Sequence, residues 1–165
     1  LNSRTYTTLM RLNSRLGLTR ALDRLSGWHR ESVIQDVDLP IEHGPEFLAF
    51  LLREVGILPV WICPIGATPL ADRFPLFPRR QGLYVNFGFW DVVRRPAPLP
   101  PGHFNRLVER EVTRLRGIKS LYSESFYPAA EFWAAYGGDT WRQLKARYDP
   151  EGRLGDLYAK CVLRR

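Results

Sequence analysis

The chain has 165 residues, 45% hydrophobic and 25% charged, with a formal net charge of +7. That is the size and balance of one ordinary domain with a single core, which excludes a disordered or fibrous chain. No apolar run approaches the roughly 20 residues that span a bilayer. Cys63 and Cys161 lie far apart, and no Cys or His pair has zinc-ligand spacing, so neither a disulfide framework nor a metal site is expected.

The basic residues are almost all arginine, with lysine only at 119, 145 and 160, and they are scattered. That pattern fits a solvated basic surface better than a dedicated polyanion site. With no signal peptide, a cytosolic setting is the expectation. The chain opens at Leu1, and Met10 is its only methionine, which suggests a piece of a longer protein.

Residues 1–30 read as one or two amphipathic helices. Leu9, Leu12 and Leu16 recur at helical spacing, then Leu18, Leu22 and Leu25, with Gly17 as a break. Their arginines suit packing on the chain's own domain or, alternatively, peripheral contact with an anionic membrane. Ser32 to Leu39 is a strand that puts Val33, Gln35, Val37 and Leu39 on one face. Gly44-Pro45 opens a helix with Phe47, Leu48, Leu51, Leu52 and Val55 as its apolar stripe, and Gly56 stops it.

Ile57 to Ile65 (ILPVWICPI) is nearly continuous in apolar residues, as in a strand covered on both faces. A proline-rich loop, 66–80, follows and exposes Phe74, Leu76 and Phe77 for a partner, a ligand or nothing at all. Gly82 to Trp90 alternates, with Leu83, Val85, Phe87 and Phe89 on one side. Tyr84, Asn86, Gly88 and Trp90 take the other side and suit a pocket wall. A helix runs from 102 to 116 with Phe104, Val108, Val112 and Leu115 inward. Ile118 to Phe126 is a fourth strand. Helices near 128–136, 139–148 and 154–163 complete the chain.

Strand–helix–strand, repeated, predicts an α+β fold of the split βαβ, ferredoxin-like (βαββαβ) kind, an antiparallel sheet with both helices on one face. Residues 1–30 would be a lead-in, and 31–165 the domain with a helical extension.

Gly-rich phosphate loops, HExxH helices and nucleophile elbows are all absent from the sequence. His29, His43 and His103 sit at helix edges, where capping or surface roles are expected. Asp36 and Asp38 alternate on one strand face and read as solvated rather than as metal ligands. Tyr122, Ser123, Glu124 and Ser125 stand out, because so many polar groups in a core strand need partners from protein, water or ligand. Arg147-Tyr148-Asp149-Pro150 reads as a helix terminator. RNA-recognition modules share this element order, but Leu83 and Val85 occupy the positions of their stacking aromatics.

The segments QDVDLPI, PVWICP, YSESFY followed by EFW, and RYDPEGRL carry a resemblance. Over about residues 30–163 the chain resembles the C-terminal end of FAD-linked oxidoreductases of the vanillyl-alcohol-oxidase type, in the branch related to sterol Δ24-reductases. The resemblance implies a ferredoxin-like cap domain that shapes the substrate side of the flavin. The FAD-binding domain would be a partner belonging to the same parent protein and lying outside this sequence. It implies FAD as cofactor, a lipophilic substrate, and no nucleic acid. Tyr122, Ser123 and Ser125 would lie near the flavin, with Tyr122 and Glu124 as proton donor or acceptor. Trp61, Tyr84 and Asn86 would line the substrate pocket.

Ser125 stands about where related sugar oxidases place a lysine, which argues against a lysine-assisted mechanism. A sheet face meant for a missing domain would favour self-association of this chain alone. The rival expectation is a stand-alone basic module binding nucleic acid or anionic lipid.

Overall fold

The computed structural model describes residues 27–66 and 82–165, together with residues 2, 5–8, 11 and 12. The amphipathic segment before residue 27 and the proline-rich loop therefore fall largely or wholly outside the described residues.

The chain is α+β. Strand β1 (His29–Pro40) leads through a short 3-10 turn into helix α1 (Gly44–Phe50), which continues as a wider turn over Leu51–Val55. Strands β2 (Trp61–Ile65) and β3 (Tyr84–Arg95), helix α2 (His103–Arg114) and strand β4 (Ile118–Lys119) follow. Helices α3 (Ala129–Ala135) and α4 (Gly138–Tyr148) and a last wide turn, Ala159–Leu163, close the chain. The four strands form one antiparallel sheet in the order β2-β3-β1-β4.

Alternation decides which side chains are buried. Val33, Val37 and Leu39 of β1 and Val85, Phe87, Phe89 and Val93 of β3 point to the helix side. There they meet Phe47, Leu51 and Val55 of the α1 segment and Phe104, Val108 and Val112 of α2 in one continuous core. Both crossover helices thus cover the same face. Each fully buried Val, Leu or Phe of this set contributes about 1.5–3 kcal/mol before entropy is counted. The twelve-residue ladder from His29↔Arg95 to Pro40↔Tyr84 is the backbone of the domain.

Three expectations need correction. The apolar stripe of α1 runs through Phe50, while Leu52 is exposed, because the wider turn from Leu51 shifts the helical phase. The run ILPVWICPI is not covered on both faces. Only its second half pairs, as an edge strand with Trp61, Ile62 and Pro64 exposed, which suits prolines that cannot complete a ladder. The strand expected over 118–126 is two residues long. After the bond from Ser120 N–H to the Asp36 carbonyl (2.8 Å) the chain leaves the sheet.

The C-terminal helices pack Phe132 and Tyr136 against Ile118 and Tyr127, with Trp133, Leu157 and Cys161 around them. The Tyr136 hydroxyl donates to the Lys119 carbonyl at 2.7 Å, so this layer covers the short β4 edge. The RYDPEGRL turn is indeed a terminator. Asp149 accepts from the Arg153 and Leu154 N–H groups at 2.8 and 2.9 Å and pairs with Lys145.

Candidate functional site

The sheet face opposite α1 and α2 carries the even-numbered side chains of β1 and β3 and the odd-numbered ones of β2. Across it Asp36 pairs with Gly88, and Gly88 with Trp61. Tyr122, which follows β4, stands beside Asp36. A row Tyr122–Asp36–Gly88–Trp61 therefore crosses the whole sheet. Ile34 and Trp90 form the next row, and Asp38 and Asn86 the row on the other side.

Among the described residues, the half of this face around Trp61, Trp90 and Ile34 is apolar and exposed, while Asp38, Tyr84 and Gly88 are buried. Trp61 is 62% exposed, Trp90 58%, and Ile34 and Val92 are open as well. The face thus presents, among the described residues, an exposed apolar patch of the kind that suits contact with another surface. Its centre is polar and close-fitted. A Cβ on Gly88 would lie 2.7 Å from Asp36 Oδ1 and 3.3 Å from Trp61 Cβ, so glycine is what lets the carboxylate rest across β3.

The segment that carries Tyr122 is irregular, and buried polar side chains hold it. Gln35, fully buried, receives the Ser123 hydroxyl on Oε1 (3.2 Å) and donates from Nε2 to the Glu124 carbonyl (3.4 Å) and to Asn105 Oδ1 (2.5 Å). Lys119 donates to the same carbonyl at 2.6 Å and to the Ser125 hydroxyl at 2.7 Å. Glu109 accepts from the Phe126 N–H at 2.8 Å and lies 3.5 Å from Lys119 Nζ, both side chains fully buried. The polar groups that stood out in the sequence thus have protein partners.

Burial pushes the Lys119 ammonium down to about 8, only partly offset by the Glu109 charge, and burial likewise raises Glu109. The Tyr122 hydroxyl is pushed up to about 12 by desolvation and then by the Asp36 carboxylate.

Of the residues singled out from the sequence, Tyr122 and Trp61 stand on the open face. Asn86 shares it and donates to Asp38 at 2.8 Å, and Tyr84 shares it but is buried. Ser123 and Ser125 turn their hydroxyls inward, to Gln35 and Lys119. The Glu124 carboxylate pairs with Arg164 at 2.5 Å, at the edge of a cleft of about 300 Å³ beside the last turn. A lysine is therefore next to Ser125 after all, delivered from position 119, but on the helix side of the sheet.

Asp38 is buried rather than solvated, correcting the expectation for that strand face. Asp36, Gln35 and Lys119 went unrecognised as parts of the site. The signal for Asp36 and Gln35 was the segment QDVDLPI, which meets the YSESFY segment in space, whereas Lys119 lies outside both.

No family model matches the chain, and no solved structure does. Curated proteins do. The chain is 22% identical over 149 residues to a Delta(24)-sterol reductase of Arabidopsis thaliana, across 81% of this chain. It is 22% identical over 156 residues to that of Mus musculus, covering 89% of this chain, and 25% identical over 150 residues to that of Pisum sativum. The resemblance to the sterol-reductase branch therefore stands. The chain spans about a quarter of the length of these relatives, 27%, 28% and 26% respectively.

Proposed function

We propose that residues 31–165 form the ferredoxin-like cap, or substrate, domain of a longer FAD-dependent oxidoreductase acting on a sterol-like lipophilic substrate. The order β2-β3-β1-β4 with both crossover helices on one face supports the ferredoxin-like reading. The sterol reductases to which the chain is similar support the substrate class. The observation that carries the proposal is the row Asp36–Gly88–Trp61, with Tyr122 beside Asp36. Among the described residues, the face that holds it is exposed and apolar around Trp61 and Trp90. Tyr122, Asp36 and Trp61 come from the segments that carry the resemblance.

A flat aromatic face with one polar centre suits the side of a planar ring and an apolar skeleton. The described residues offer no Gly-rich loop for a pyrophosphate, so the FAD-binding domain of the parent protein would hold the cofactor. When bound, FAD would supply hydride exchange with the substrate. Trp61, Trp90 and Ile34 would exclude water and seat the apolar skeleton. Of the two groups expected to handle protons, Tyr122 stands on this face, while Glu124 is paired with Arg164 at its margin.

In the full-length protein, replacing Trp61 by Ala should raise the KM for a Δ24-unsaturated sterol about tenfold or more, the loss of one buried aromatic contact. An unchanged KM in a folded variant would remove Trp61, and with it the open face, from the substrate side.

A further inference from the structure

We infer that the ligand of the open sheet face is an amphipath with an anionic head, and that Arg30 and Arg94 receive that head. This deepens the proposed function and rests on its placing of the substrate on this face. The register of β1 and β3 fixes the arrangement. Arg30 lies directly opposite Arg94, and the rows Ser32↔Val92, Ile34↔Trp90 and Asp36↔Gly88 follow along the same face. Their odd-numbered neighbours His29, Glu31, Val33, Phe89 and Val93 are buried on the helix side.

Among the described residues, the face is therefore graded along its length. Arg30 and Arg94 are exposed at one end. Ile34, Val92 and Trp90 are exposed in the middle, and Trp28, two positions before Arg30, adds an exposed indole at the cationic end. The half-buried Asp36 lies three rows from the arginines, roughly 20 Å along the strand.

Like charges directly opposite each other on a sheet repel, and an anion lying across the pair removes that cost. The third arginine of this corner does not take part. Arg95 turns inward, donating to the Val55 carbonyl at 3.2 Å and lying over the Phe104 ring. Arg30 is engaged within the chain as well, but the five N–H donors of a guanidinium leave room for an oxyanion beside it. Two guanidiniums match the several acceptor oxygens of a sulfate or phosphate ester, whereas a neutral hydroxyl could satisfy only part of them. An anionic membrane calls for a larger basic cluster than two arginines. An apolar strip bounded by arginines at one end and a carboxylate at the other suits one molecule of limited length.

The test is equilibrium binding, to the full-length protein, of a Δ24-unsaturated sterol, its sulfate ester and its phosphate ester. At low salt at least one ester should bind about tenfold tighter than the sterol, and the ester preferred names the head. Both arginines are exposed, so substituting them leaves the core intact. Arg30→Gln and Arg94→Gln should each remove most of the preference without changing the affinity for the neutral sterol, and Arg94→Lys should keep part of it. Added salt should shrink the preference.

Equal affinities for sterol and esters, or a preference that both glutamine variants retain, overturns the inference. If Trp61→Ala then weakens all three ligands, the reading of the face still stands. A preference lost in both glutamine variants but no effect of Trp61→Ala supports the arginine site and contradicts the placing of the apolar body over Trp61. The inference is also overturned if the variants keep the preference and instead lose sedimentation with vesicles of phosphatidylcholine and phosphatidylglycerol in equal parts. The arginines would then serve a lipid surface.

Discussion

Lys119 and Glu109 form a buried ion pair that holds the segment bearing Tyr122 to the back of the sheet. Removing Lys119 leaves the buried Glu109 carboxylate with only Arg106, at 3.5 Å, to offset it. Lys119→Met should therefore cost about 3–5 kcal/mol in urea unfolding, and the double variant with Glu109→Leu should recover most of it. A loss under about 1 kcal/mol would show that the pair does not anchor the segment. The pH dependence has a definite sign. Burial lowers Lys119 from 10.5 to about 8, so between those values the unfolded chain binds the extra proton. The contribution of this group to stability rises with pH from about 8 to 10.5. The stability gap between wild type and Lys119→Met should widen across that window, and a flat gap contradicts the shift. None of this was legible from residue types. Periodicity placed Gln35 inward, but only the folded chain brings it to Ser123, 88 positions away.

The elements were more legible than their ends. Apolar spacing identified the inward residues of α2, since Phe104, Val108, Val112 and Leu115 are all buried. What starts that helix was hidden, because its cap comes from another element. Gly102, at φ +75°, offers no side chain, and the Glu31 carboxylate of β1 instead accepts from the N–H groups of Phe104 (3.2 Å) and Asn105 (2.7 Å). It also accepts from Asn105 Nδ2 at 2.7 Å. A Cβ at Gly102 would sit 2.3 Å from the Phe126 ring, so the same corner is closed to larger residues. Glu31→Ala should lower stability by at least about 2 kcal/mol and speed amide exchange at Phe104 and Asn105. Unaltered exchange at those two amides would mean that the first turn of α2 is held some other way. The strand expected over 118–126 failed for a related reason. Its alternation is real, but side chains of β1, of α2 and of Lys119 in β4 take up its backbone and hydroxyl groups in place of a ladder.

Among the described residues, α1 and α2 cover one face of the sheet, and the other is exposed around Trp61, Trp90 and Ile34 but buried at Asp38 and Tyr84. The covered face explains its stability, and the open face, with Trp61, Trp90 and Tyr122, is where a site would be. Sequence patterning reached the sheet and the inward face. It did not distinguish an open face from a solvated one, because Asp36 and Asp38 look the same in either setting. The similarity to sterol reductases, confined to about a quarter of their length, makes what lies against that face the central question. The most direct measurement is the visible spectrum of the purified full-length protein during anaerobic reduction and mixing with a Δ24-unsaturated sterol. A bound flavin that is bleached on reduction and recovers its colour with that sterol, but not with the saturated one, is the predicted result. A protein that retains no flavin after supply of FAD, or a reduced flavin indifferent to the sterol, would contradict it.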